Sequence, residues 1–290
     1  MGMNVIVTGA SGGFGRLIVE QLVSEGHNVV ATMRDVQGRN GGLVGPLESL
    51  GATVVEMDVT SEASVETGIA HAVGALSSID VVVNNAGVGV LGLQESFTPD
   101  DWKRVFEVNL FGIQRVCRAV LPHMRERGCG LIVNISSLLG RMSIPFYGPY
   151  IASKWALEAL SENYRCELSQ SGIEVCIVEP GGFPTTFIGN LLRPSDGDRS
   201  LSYGAFGQMP EGFLKGFEAA LAANPTQDPH NVAKAVAVLI AMPRGEKPFR
   251  TVIDAMGMGE HVERYNDHLR DVTTGIYQSF GIGHLLSLPK

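Results

Sequence analysis

Short β-branched runs that alternate with amphipathic segments predict a doubly wound α/β fold, a parallel sheet of seven strands between two layers of helices. The strand runs are continuously apolar, as in Asn28-Val29-Val30-Ala31. Such runs suit strands buried on both faces, which a parallel sheet covered by helices provides. The motif candidates that can be set against this order each come at a strand end: Gly9, Arg34, Asp58, Asn84, Ser137 and Pro180. They therefore share the carboxyl edge of the sheet, where open α/β sheets bind their ligands.

Each element has its own signal. The first strand, 4–8, stops at a glycine turn before helix 14–25. The second, 28–33, is separated from helix 44–50 by the glycine-rich loop 38–42. The third, 53–57, ends at Asp58, and Thr60 and Ser61 are candidate caps for helix 61–75. The fourth, 80–84, runs into Asn85-Ala86-Gly87, and Thr98-Pro99-Asp100 signals the start of helix 100–127. The fifth, 130–136, leads to Ser137, and helix 148–170 follows. The sixth, 174–179, ends at Pro180-Gly181; Asp228-Pro229 opens helix 228–241, and 250–254 is the last strand. No composition break divides the chain, so residues 1–290 are expected to form one domain. Two segments depart from the alternation: an insertion at about 184–229, with a helix near 210–223, and a tail at 257–290. Insertions of that length in a compact domain usually serve function.

Composition narrows the function. Hydrophobic residues make up 44 % of the chain, ample for a large core, and charged residues 18 %, below the usual figure of about 25 %. The net charge is −8 with no basic cluster, which argues against nucleic acid or an anionic membrane surface as a partner. No apolar stretch approaches the roughly 18 residues that a membrane helix needs. Met1-Gly2-Met3-Asn4 carries no cationic or cleavable leader pattern. Cys117, Cys129, Cys166 and Cys176 form no CxxC pair and no zinc-ligand spacing. Reduced, mostly buried thiols in a cytoplasmic protein are expected, with no metal.

The run Thr8-Gly9-Ala10-Ser11-Gly12-Gly13-Phe14-Gly15 lies between the first strand and the first helix. Glycine there permits a sharp bend and lets a phosphate approach backbone N–H groups at a helix N-terminus. The spacing differs from G-x-G-x-x-G, and a purely structural turn is the alternative. At the end of strand two an acid would bind the 2′-hydroxyl of NAD, whereas a nearby arginine accommodates the 2′-phosphate of NADP. Met33-Arg34-Asp35 places an arginine there, so NADP is expected in preference to NAD. Asp35 competes, either pairing with Arg34 or taking the ribose itself. Asp58 is either a helix-start cap or a hydrogen-bond partner for adenine.

Tyr150 and Lys154 stand four residues apart, on one face of a helix. A cation beside a phenol favours phenolate and lowers the tyrosine pKa from its usual value of about 10, which makes a general acid/base near neutral pH. Ser137 is placed to donate to a substrate oxygen. Asn109 sits inside helix 100–127 although asparagine is a poor helix former. It is either an exposed helix position or a water-bridging group near Lys154.

Together these residues resemble the short-chain dehydrogenase/reductase family in its compact one-domain branch. Thr8–Gly15 is similar to that family's cofactor turn, Asn84-Asn85-Ala86-Gly87 to its NNAG motif, and Pro180-Gly181 with Thr185 to its PGxxxT segment. Asn109, Ser137, Tyr150 and Lys154 resemble its catalytic tetrad. The resemblance covers about residues 3–190 and implies a Rossmann-type sheet of order 3-2-1-4-5-6-7 in homodimers or homotetramers. It implies cofactor contacts at Gly9, Ser11, Gly13, Phe14 and Gly15, at Arg34, and at Asp58 and Val59. Further contacts are implied at Asn85, Ala86 and Gly87, at Tyr150 and Lys154, and at Pro180, Gly181, Phe183 and Thr185. The runs 30–35 and 146–160 also look similar to 17β-hydroxysteroid and retinol dehydrogenases.

The expected function is hydride transfer between NADP(H) and a small-molecule carbonyl or alcohol. The insertion contributes Phe187, Ile188, Leu191, Leu192, Phe206, Met209, Phe213 and Leu214, which form either a lid on the core or the wall of a pocket for a bulky, partly apolar substrate. Competing readings are a nucleotide-sugar epimerase or dehydratase with a recycled cofactor, and a non-catalytic dinucleotide sensor.

Overall fold

The computed structural model describes residues 2–289. Its strands are β1 (Asn4–Thr8), β2 (Asn28–Met33), β3 (Thr53–Glu56), β4 (Val81–Asn84), β5 (Gly130–Ile135), β6 (Ile173–Pro180) and β7 (Arg250–Ile253). They form one sheet of order β3-β2-β1-β4-β5-β6-β7, with every pairing parallel. The seven strands, the parallel sheet and the strand order agree with the sequence reading, and the strand boundaries differ by one residue.

The sheet is parallel because its strands are apolar on both faces. Val5 and Val7 of β1 pack into one core with Ile18, Val19 and Leu22 of α1 (Gly13–Ser24). Ile6, between them, points into the opposite core with Ile69, Val116 and Leu157. α2 (Gly41–Leu50) and α3 (Glu62–Leu76) follow β2 and β3. α2 begins three residues before its expected start, since Gly41 and Gly42 join the first turn instead of the loop. Ser61 caps α3, its hydroxyl accepting from the Ser64 N–H.

The helix expected at 100–127 is not uniform. α4 (Pro99–Phe106) starts in a capping box between Thr98 and Asp101, and α5 (Gly112–Arg127) completes the rod. Between them Glu107–Phe111 forms a π-helical turn. α6 (Gly148–Ser169) is the long helix beneath the site. The insertion contains α7 (Thr186–Gly189), α8 (Gly197–Ser202), a 3-10 turn (Gly204–Gln208) and α9 (Met209–Ala222). α10 (His230–Ala241) packs on α1, and the Asp228 carboxylate accepts the His230 N–H at its start.

The tail, which gave no clear signal, forms α11 (Gly259–Ser279) and a closing 3-10 turn, Gly283–Leu286. Only Gly259, Val262 and Asn266 of α11 are buried, and the helix is polar on balance, so few apolar residues mark it in the sequence. Among the described residues, no helix is long and apolar enough to cross a membrane.

Candidate active site

At the carboxyl edge the glycine turn is fixed by steric contact. Gly9 has φ +68°, and a Cβ there would lie 2.8 Å from the Ala86 Cα. A Cβ on Gly15 would lie 2.3 Å from the Gly9 carbonyl oxygen and 2.5 Å from Asn85 Nδ2. The turn is also tied to the end of β4. The Thr8 hydroxyl accepts the Asn85 and Ala86 N–H groups at 3.0 Å each, and Asn85 Nδ2 donates to the carbonyls of Thr8 and Gly9 at 2.9 and 3.2 Å. No side chain caps the start of α1. A Cβ on Gly13 would come no closer than 3.8 Å to its neighbours. Free N–H groups beside an open glycine backbone suit a pyrophosphate.

At the far end of β2 two arginines, Arg34 and Arg39, line the cleft without an ion-pair partner among the described residues. Asp35 does not pair with Arg34. It sits at φ 56°, and its carboxylate accepts the Arg39 N–H at 3.0 Å, closing its own turn. Asp58 does not cap α3, which Ser61 does; one Asp58 oxygen closes the turn before the helix, accepting the Thr60 N–H and hydroxyl at 2.9 and 2.8 Å. It also lines the cleft, as does Val59.

The remaining groups converge from β5 and α6. Ser137 is nearly buried in extended backbone, where its hydroxyl oxygen accepts the Leu139 N–H at 3.1 Å. Its own proton remains free to donate. Tyr150 and Lys154 are 8 % and 4 % exposed, so what little of each is accessible faces the cleft. Lys154 Nζ donates to the Ile135 carbonyl at 2.8 Å and lies 5.7 Å from the centre of the Tyr150 ring.

Two expectations need correction. Lys154 does not bring the Tyr150 phenol toward neutrality. Burial pushes Tyr150 up to about 12, with only the Ser137 hydroxyl acting against it, and burial brings Lys154 down to about 8. Desolvation outweighs attraction because the ammonium is held on a backbone carbonyl rather than on the phenol. Asn109 is not an exposed helix position either; it is completely buried in the π-turn. Its side-chain oxygen accepts the Val88 N–H at 2.8 Å, and its amide donates to the Val88 carbonyl and the Ser153 hydroxyl, each at 2.9 Å.

A cleft of about 790 Å³ joins these parts. Gly9, Ser11, Gly13, Phe14, Arg34, Asp58, Val59, Asn85, Ala86 and Gly87 line it. Ser137, Tyr150, Lys154, Pro180, Gly181, Phe183 and Thr185 complete that lining. Gly15 and Asn109 do not line it and act from behind it. Phe183 meets Phe14 edge to face at 5.5 Å. The sequence reading missed Arg39, Tyr147 and Met258, which also line the cleft. Tyr147 had a findable signal, since it precedes Tyr150 by three residues and shares its helix face. Met258 had none, because nothing in the tail pointed back to the sheet.

Comparison with known proteins places this geometry. Residues 3–195 match a family model described as short chain dehydrogenase. The chain is 38 % identical to 3-ketodihydrosphingosine reductase of Bacteroides thetaiotaomicron over 187 residues, 64 % of this chain and 66 % of that protein. It is 36 % identical to retinol dehydrogenase 8 of Bos taurus over 253 residues, 83 % of this chain and 78 % of that one. The first of these curated relatives is thus matched over just under two thirds of its length. Among solved structures, a short-chain dehydrogenase from Streptomyces avermitilis is similar with a TM-score of 0.75 at 32 % identity, covering 98 % of both chains. A Burkholderia phymatum short chain dehydrogenase/reductase in complex with NAD gives 0.75 at 25 % identity, covering 93 % and 95 %. A metagenomic short-chain oxidoreductase in complex with NADP gives 0.66 at 26 %, covering 87 % and 97 %.

Proposed function

The chain belongs to the short-chain dehydrogenase family of oxidoreductases, which use a nicotinamide dinucleotide, and from that premise we propose that it interconverts a bulky carbonyl and its alcohol with NADP(H). The observation that carries this reading is that Ser137, Tyr150 and Lys154 share one cleft with the glycine turn and with Arg34.

The open backbone at Gly13 and the uncapped start of α1 fit the pyrophosphate of such a cofactor. Arg34 and Arg39 fit a 2′-phosphate, and Asp35, spent on its own turn, does not compete for the ribose. The bound cofactor supplies or accepts the hydride.

The chain supplies the proton and the positioning. In reduction Tyr150 donates its phenolic proton to the substrate oxygen, and Ser137 donates a hydrogen bond to the same oxygen. The buried phenol keeps its proton until a stronger base develops beside it, which suits a general acid. Lys154 places a cation behind the phenol and stabilises the phenolate that remains. Both side-chain N–H groups of Asn109 are committed, to the Val88 carbonyl and the Ser153 hydroxyl, so it serves the site from behind by holding the loop after Gly87 and the residue before Lys154 in place.

The substrate side is apolar. Leu139, Ile144, Phe187, Leu191, Phe213 and Leu214 line the cleft beyond Tyr150, and the Phe187 ring lies 5.7 Å from the Tyr150 ring. This supports a large apolar substrate. Retinol dehydrogenase 8 and 3-ketodihydrosphingosine reductase, both similar in sequence, are named for substrates of that kind. The reading takes the chain as one domain acting in a homo-oligomer, with the exposed Val272 and Ile276 of α11 and Phe280 just past its end available for assembly.

The test is a panel of ketones and alcohols, steroids and retinoids included, assayed with NADPH and NADH. Tyr150→Phe should bind NADPH normally and lose turnover by about 10²-fold or more, the range that general acid catalysis contributes. Near-normal turnover by that variant would reject the mechanism.

A further inference from the structure

Behind the proton-transfer site, on the side away from the cleft, lies a buried group of charges that the reaction as described does not use. Glu158 and Glu179 are 1 % and 0 % exposed, and Arg141 is 8 % exposed. Arg250 Nε donates to Glu158 Oε2 at 3.0 Å and stands 3.3 Å from Glu179 Oε1. Asn266 of α11 donates to Glu179 Oε2 at 2.6 Å and accepts from Arg141 Nε at 2.8 Å. Glu162, one turn further along α6, also pairs with Arg250.

Four buried polar atoms in this group have no hydrogen-bond partner: Ser136 Oγ, Arg141 Nη2, Glu158 Oε1 and Glu179 Oε1. The Glu158 carboxylate is therefore divided. Its Oε2 serves Arg250. Its Oε1 faces the turn Ser136–Gly140, where a Cβ on Gly140 would lie 3.3 Å from Oε1 and 2.7 Å from Ser136 Oγ. That turn carries Ser137. Glu158 is also one helical turn beyond Lys154 on the buried face of α6.

The neighbours of Lys154 are Tyr150 on its own helix, the Ile135 carbonyl of β5, and Asn109 and Gly87 across the site. None of these carries a negative charge while the phenol is protonated. A buried amine with no counter-charge gives up its proton. A neutral Lys154 would have little hold on a phenolate.

We propose that Glu158 is a positioning residue for the proton-transfer site, its carboxylate, one helical turn beyond Lys154 on the buried face of α6, keeping Lys154 in the ammonium form. This rests on the reading of Lys154 as the cation of the site. Burial pushes the Glu158 carboxyl up, and the Arg250 guanidinium, the Ser136 hydroxyl and Arg141 oppose that rise; ionised, Glu158 is the one charged neighbour that opposes the effect of burial on Lys154. The alternative is a structural role, in which Glu158 only ties α6 to β7 through Arg250.

The experiment reads the charge directly. The chain has six lysines, so protein labelled with ¹³C at lysine Cε gives few resonances, and Lys154→Met identifies the one from Lys154. The resonance is titrated in the native protein, in Glu158→Asp and in Glu158→Gln. The Lys154 midpoint should fall by about one pH unit or more in Glu158→Gln, a tenfold change in the ammonium-to-amine ratio. It should fall by less in Glu158→Asp, which keeps the charge, and the other lysines should not move. Glu158→Asp retains a partner for Arg250 and reports the smaller shift even if the glutamine variant does not fold. An unchanged midpoint in a folded variant overturns the proposal and leaves the structural role. If the midpoint moves but Lys154→Met retains full turnover, the proposal stands and the functional reading of Lys154 fails.

Discussion

The Asn109 side chain donates to the Ser153 hydroxyl at 2.9 Å, one residue before Lys154. The Ser153 hydroxyl in turn donates to the Tyr150 carbonyl at 2.7 Å. The π-turn and the helix that carries both candidate catalytic groups are thus locked together by one buried amide. The same amide satisfies the N–H and the carbonyl of Val88, in the loop that follows Gly87. An amide suits this position because it carries two donors beside an acceptor, where a hydroxyl has only one donor.

Asn109→Ala should therefore destabilise the fold. It strands the part-buried N–H and carbonyl of Val88, each costing about 1–3 kcal/mol if no water replaces the amide. For a chain of this size roughly 1 kcal/mol corresponds to about 2–4 °C. A fall in Tm of about 5 °C or more is expected by calorimetry. A shift under about 1 °C would mean that the network carries no load.

Arg34 offers a test of cofactor choice. With Asp35 turned onto the Arg39 N–H, no carboxylate at this corner competes for the 2′ position. A charge-assisted hydrogen bond is worth about 1.5–3 kcal/mol, or about 10- to 100-fold in affinity. Arg34→Ala should raise the Kd for NADPH by about that factor and leave the Kd for NADH within about twofold. Equal losses for both cofactors would show that Arg34 does not read the phosphate. Fluorescence titration separates these outcomes.

What was legible in the sequence follows from physical periodicity. The strands were readable because continuous apolar runs have few other uses in a chain with so few exposed charges. The candidate groups were readable because each glycine or hydroxyl follows a strand end. α11 was not, since it buries three residues in twenty-one and its apolar stripe faces outward. The π-turn was not, because its cause is the Asn109 network with Val88 and Ser153, a contact made across the fold. Arg39 was passed over for a similar reason. Its place at the cleft depends on the turn that Asp35 makes with φ 56°, a conformation that sequence alone does not announce.

The buried charges behind the site make a statement about stability and pH. Burial, reinforced by the neighbouring Glu158, pushes Glu179 up to about 8 from an ordinary value of 4.5. The folded chain thus keeps a proton that the unfolded chain releases between pH 4.5 and about 8. Stability depends on pH with the sign of protons bound unfolded minus protons bound folded, which here is negative. The contribution is complete below 4.5 and is lost as pH rises to about 8. Urea midpoints measured from pH 5 to pH 8.5 should fall for the native chain. Glu179→Gln, neutral throughout, should flatten that slope; an unaltered slope would place the titration elsewhere.

The lid is held by a different kind of contact. Arg199 Nη1 pairs with Glu95 Oε1 at 2.7 Å, the Tyr203 hydroxyl donates to the same carboxylate, and the Ser195 N–H donates to Asp101 at 3.0 Å. Ser200 donates to Ser96 at 2.9 Å. These bonds tie α8 and its flanks to α4 and the segment that leads into it. The ion pair is exposed, so water and salt weaken it. Glu95→Gln removes the shared acceptor charge while keeping a hydrogen-bonding group. Limited proteolysis within 190–208 should then be faster in the variant than in the native chain at low salt. At about 1 M salt, where the screening length is about 3 Å, the native chain should approach the rate of the variant. If the rates already agree at low salt, the apolar packing of Phe206 and Phe213 on Phe146 holds the lid, and the charges are incidental.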